Sequence, residues 1–173
     1  MLKIFLKYFI ILLATQTLHC GEVTIKSVTC KTHDANFSRF DLCEMAPTAK
    51  NIPGISLIIR FLRLPVTNIH FRYVVGRTGS PPLIALNNSW DLCAFLRNGK
   101  SSRALATLFK QIASFTNINH SCPFNHDVII QKFAVPHGNP NFVFFPGDYF
   151  AKVETTIDGI KRFTIDIIIN NQI

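Results

Sequence analysis

Between residues 56 and 75 apolar and polar side chains take turns. Leu57, Ile59 and Phe61 alternate with Ser56, Ile58 and Arg60. Beyond Pro65, Ile69, Phe71, Tyr73 and Val75 alternate with Asn68, His70, Arg72 and Val74. A period of two places successive side chains on opposite faces of a strand, so each run predicts a strand with one apolar face. The same alternation returns near the end of the chain. Tyr149, Ala151 and Val153 oppose Phe150, Lys152 and Glu154, while Phe163, Ile165, Ile167 and Ile169 oppose Arg162, Thr164, Asp166 and Ile168. Asp158-Gly159 between these runs is a two-residue hairpin signal. Weaker strands are expected over 22–30, 37–45 and 127–133. About seven or eight strands in all point to an antiparallel β-sandwich. In that arrangement Leu57, Ile59, Phe61, Ile69, Phe71, Tyr73, Phe163, Ile165 and Ile167 face the space between the sheets.

The period changes once. Leu105, Leu108, Ile112 and Phe115 recur at three- and four-residue spacing behind Ser101 or Ser102 as N-cap, and residues 91–98 suit a short helical turn closed by Gly99. An amphipathic helix outside the strand succession belongs against a sheet edge or over an open end of the sandwich. It either fills the core there or forms a lid over a cavity, and the pattern leaves both readings open.

Composition adds the compartment. Of 173 residues 48% are hydrophobic and 16% charged, which excludes a disordered chain, and 16 Phe against 3 Tyr and 1 Trp suit an apolar interior. Lys3 and Lys7 precede or flank an apolar run that ends at Ala14, and residues 4–14 fall well short of the roughly 20 needed to span a bilayer. Residues 1–20 therefore read as a secretory signal peptide and 21–173 as a single domain without a transmembrane anchor after cleavage. Cys20 lies at or before the cleavage point, which leaves Cys30, Cys43, Cys93 and Cys122. An even count in an oxidising compartment implies two disulfides with three possible connectivities. The favoured one joins Cys30 to Cys43 and Cys93 to Cys122, because each pair closes a short local loop; the loop-entropy model assigns these about 3 and 3.6 kcal/mol. A zinc site at His120, Cys122 and His126 is the rival, but paired Cys-x-x-Cys spacing is missing. Three glycosylation sequons begin at Asn36, Asn87 and Asn119, each beside a turn signal, and mark surface loops.

Charge narrows the partners less. The formal balance of +8 becomes +6 without Lys3 and Lys7, and residues 50–110 hold nine basic side chains against the single acid Asp91. That stretch suits an anionic partner such as a lipid headgroup, acidic glycan or receptor surface, with Arg60, Arg63 or Arg77 as rim contacts. The simpler reading makes Arg60, Arg63, Arg72 and Arg77 solvent-facing strand positions. Nucleic acid is a poor fit for a secreted chain without a binding motif. No nucleophile elbow, zinc-protease motif or phosphate-cradling glycine loop occurs, so neither an enzyme nor a cofactor is expected.

Three local blocks carry a resemblance. Trp90-Asp91-Leu92-Cys93-Ala94-Phe95-Leu96, Asn119-His120-Ser121-Cys122-Pro123-Phe124-Asn125-His126-Asp127 and Phe145-Pro146-Gly147-Asp148-Tyr149 resemble the signature blocks of a secreted insect family of unknown function, domain-of-unknown-function family 1091, and Cys30 and Cys43 match it as well. That family is similar to the MD-2-related lipid-recognition proteins. The resemblance implies an immunoglobulin-like β-sandwich whose sheets part to hold a lipid or other apolar ligand, with a chemosensory role in some insect members. The expected fold is thus mostly β, a sandwich with one helical insertion between Cys93 and Cys122. The expected function is a secreted, non-enzymatic binding protein whose candidate ligand contacts are Leu57, Ile59, Phe61, Phe71, Tyr73, Phe163, Ile165 and Ile167. The alternative is an extracellular interaction or co-receptor protein with a filled core, which a membrane receptor could partner. A void of about 300 Å³ or more between the sheets distinguishes the two.

Overall fold

The alternating runs form strands in a computed structural model that describes residues 22–79, 82–98, 102–135 and 146–172. The expected signal segment 1–20 and Gly99 lie outside them, as do Ser101 and Phe145. Five strands make one antiparallel sheet in the order β1 (Glu22–Thr32), β8 (Ile160–Gln172), β7 (Gly147–Ile157), β4 (Ile69–Arg77) and β5 (Leu83–Asp91). Three make the other, β2 (Ser38–Pro47), β3 (Pro53–Phe61) and β6 (Val128–Phe133). Asp158 and Gly159 join β7 to β8 with φ of 52° and 76°, the left-handed pair a tight hairpin requires.

The inward register is the one the alternation predicts. Leu57, Ile59, Phe61, Ile69, Phe163 and Ile165 are buried in one core cluster that draws on both sheets, and Tyr73 and Ile167 pack against it half-buried. Arg60 and Arg72 on the opposite faces are exposed. Arg162 departs from the pattern. It occupies a polar-side position of β8 yet is buried, because the 33–37 turn folds over it: His33 N–H donates to its carbonyl at 2.7 Å, Asp34 pairs with its guanidinium, and the Phe37 ring lies 3.9 Å from it.

Strand β5 has no counterpart in the hydrophobic pattern. Every residue from Leu83 to Ser89 is exposed, so no buried face imposes a period of two, and the strand exists through its ladder with β4 alone. Asn87 therefore sits in an edge strand, correcting the loop expected there. Its side-chain oxygen accepts from Arg72 Nε at 2.9 Å, and the residue stays exposed, as do Asn36 and Asn119.

The helical interlude follows β5. Helix α1 (Leu92–Asn98) starts where the Asp91 carboxylate accepts from Ala94 N–H at 2.8 Å, and α2 (Arg103–Ile112) where Ser102 Oγ accepts from Leu105 N–H at 3.2 Å. The α-helical stripe stops at Ile112. Phe115 falls in a 3-10 turn, Ala113–Phe115, and its ring packs edge-on against Phe133 of β6 at 5.6 Å.

Both local disulfides form, Cys30–Cys43 and Cys93–Cys122. They act at opposite edges of the sandwich. Cys30–Cys43 ties β1 to β2, the outermost strands of the two sheets on one side. Cys93–Cys122 ties α1 to the loop that leads into β6 on the other. Among the described residues no helix is long and apolar enough to cross a membrane.

Candidate functional site

Between the sheets, beside the edge that α2 occupies, lies a partly open cavity of about 280 Å³. Its walls come from every layer of the fold. Sheet β1-β8-β7-β4-β5 supplies Ile25, Ile69, Phe71, Tyr73, Ala151, Val153, Phe163, Ile165 and Ile167; β3 and β6 supply Leu57, Ile59, Phe61, Val128, Ile130 and Phe133. Helix α2 closes it with Leu105, Leu108, Phe109 and Ile112, the residue spacing of one helix face. Thr116 and Ile118, just beyond the 3-10 turn, complete the wall. The helix thus walls a space and does not fill the core.

All eight candidate ligand contacts read from the sequence line this one cavity. The part of the wall contributed by β6 and by residues 105–118 was not among them. Leu105, Leu108 and Ile112 carried a signal in their helical spacing. Phe109 shares that spacing although it was not singled out, whereas Thr116 and Ile118 carried no signal, because their inward placement depends on where α2 ends.

The wall is apolar apart from Tyr73, Gln111, Thr116 and Thr155, and none of its residues carries a charge. Gln111 already has a partner, and Thr116 Oγ1 accepts from Ile118 N–H at 3.3 Å. Tyr73, on β4, is different. Burial pushes its phenol up to about 12, and among the described residues no hydrogen bond offsets that cost. The phenol is therefore a neutral O–H donor at any physiological pH.

The charges sit elsewhere. Arg60 lies 2.6 Å from Asp41 and 3.6 Å from Asp127 on the outer face of β3, and Arg77 donates to the Pro146 carbonyl at 3.1 Å. Arg63 is exposed in the loop after β3. None of these three suggested rim contacts lines the cavity. Across the outer face, Glu154 lies 2.5 Å from Lys161 and 3.3 Å from Arg72. The Lys161 hydrogen bond, followed by the charges of Lys161 and Arg72, outweighs partial desolvation and holds the Glu154 carboxyl below its ordinary value.

The rival metal site does not assemble. Cys122 is consumed by its disulfide, and His120 Nε2 and His126 Nε2 lie 2.9 Å apart, within hydrogen-bond distance of each other. Among the described residues no group of three metal-ligating side chains occurs.

The family model for proteins of unknown function, DUF1091, matches residues 67–151, a span that starts at β4, contains the whole helical insertion and ends within β7. No curated protein matches the chain.

Proposed function

We propose that this DUF1091-family chain is a secreted, non-enzymatic binding protein that holds an apolar small molecule between its sheets. The observation that carries the reading is the cavity itself, whose lining from both sheets and α2 is almost wholly hydrocarbon. A well-packed core interdigitates and leaves few voids larger than a water molecule, so an apolar void of this size invites an apolar guest. The two disulfides suit an oxidising, extracellular setting, and the resemblance to lipid-recognition sandwiches points to the same kind of ligand.

Volume limits the guest. At about 280 Å³ the cavity lies just under the ~300 Å³ lower end of ordinary ligand pockets and under the void expected from the sequence. An apolar cavity of ~150 Å³ accommodates benzene, so this one suits roughly a dozen non-hydrogen atoms. A medium-length alkyl or terpenoid-sized molecule fits, and each buried methylene contributes about 0.8 kcal/mol.

Mass spectrometry of the organic extract of protein purified from the secreting cell's medium tests the proposal. A stoichiometric apolar compound supports it. An empty extract, together with no saturable uptake of an apolar fluorescent probe, leaves the interaction-protein reading.

A further inference from the structure

The few hydroxyls in a wall of hydrocarbon specify more than apolarity. Tyr73 stands on β4 opposite Val153 of β7 and Asn88 of β5, and its ring lines the cavity. The phenol carries its O–H farther from the backbone than either lining threonine can, and among the described residues that group has no partner. Tyr73 is half-buried and lines a partly open cavity, so a guest that excludes water from the phenol must itself supply the acceptor, since a buried donor left without one is costly. Conversely, a carboxylate or phosphate drawn among these side chains would lose its hydration and meet no cation, since Arg60, Arg63 and Arg77 lie off the lining.

We infer that Tyr73 donates a hydrogen bond to an uncharged ligand, so that the guest is a largely hydrocarbon molecule bearing a single acceptor, a ketone, aldehyde, ester or alcohol oxygen. This rests on the binding function proposed above and adds the ligand's chemical class and the residue that reads it.

The test uses the full secreted chain and displacement of 1-aminonaphthalene, an apolar fluorescent probe of eleven non-hydrogen atoms that is uncharged at pH 8, by a matched ten-carbon series at that pH: alkane, ketone, primary alcohol and carboxylate. Ketone and alcohol are expected to compete about tenfold better than the alkane, the usual effect of one buried hydrogen bond, with the carboxylate weakest. Tyr73→Phe, which removes one oxygen and keeps the ring, should bring ketone and alcohol to the alkane's level while leaving the alkane unchanged. A ketone preference that survives Tyr73→Phe overturns the assignment of Tyr73, and a carboxylate that outcompetes the ketone overturns the neutral class. If neither probe nor alkane binds, the binding function itself fails, a result distinct from both.

Discussion

At one edge of the sandwich the sheets are joined directly, β1 to β2 by Cys30–Cys43 and β2 to β8 by the Phe40 ring set edge-on to Phe163 at 5.6 Å; at the other, the outermost strands are spanned by α1, α2 and the 3-10 turn. The first edge brings core side chains from both sheets into contact. At the second, α2 lies along the wall of the cavity. Helix α1 packs on β4 and β5 while Phe115 and the Thr116–Ile130 bridge attach the segment to β6, so one short stretch links the two sheets. The two edges thus close one core in different ways, while Ile25 and Phe163 from the directly joined side also line the cavity.

The largest expected effects come from the directly joined edge. Phe163→Ala should cost about 3–5 kcal/mol, because a buried aromatic is removed from a packed contact between sheets. Phe109→Ala, on the half-buried face of α2, should cost less than half of that and act mainly on ligand affinity. Denaturant unfolding of both variants checks the contrast, and equal costs would break it.

The disulfides come next. Replacing Cys30 and Cys43 with Ala should lower stability by roughly 3 kcal/mol with ligand affinity retained in the folded fraction. Replacing Cys93 and Cys122 should lower it by a similar or slightly larger amount and also weaken binding, because α1 loses its tie to the segment before β6. Hydrogen exchange should then rise first in residues 92–127. Uniform exchange in both double variants would show that the edges are not independent.

How legible this was follows from burial. Strands β3, β4, β7 and β8 announce themselves because each has one face against the core, which forces an alternation. Strand β5 has no buried face over Leu83–Ser89, so nothing in its sequence could betray it. The inward set from Leu57 to Ile167 was readable, but apolar side chains that interdigitate and those that line a void obey the same pattern. Only the placement of α2 along the cavity wall separates the two cases, and the end of that helix at Ile112 was concealed by the spacing through Phe115.

A smaller effect is expected at Tyr73. Its folded-state value of about 12 lies above the ordinary 10, so the native state retains the proton more strongly. Its contribution to stability is complete below pH 10 and is lost as pH rises from 10 through 12. A spectrophotometric titration should show phenolate absorbance emerging near the upper figure and vanishing from that range in Tyr73→Phe. Emergence near 10 would mean that the ring is solvated.

The smallest effect belongs to the outer-face pairs. The lowered Glu154 carboxyl contributes stability above its unfolded value that is lost as pH falls through the folded one. Because Lys161 and Arg72 are largely exposed, Lys161→Ala should change stability by no more than about 0.5 kcal/mol at neutral pH and less in high salt. Thermal melts at two ionic strengths check this.

The most direct test of the account fills the space beside α2. Ile167 is half-buried on β8 and faces the cavity. Ile167→Trp should leave the fold intact and abolish saturable binding of 1-aminonaphthalene, which the unsubstituted protein is expected to bind at one site per chain. Undiminished binding by a folded Ile167→Trp protein would contradict the claim that the ligand lies between the sheets.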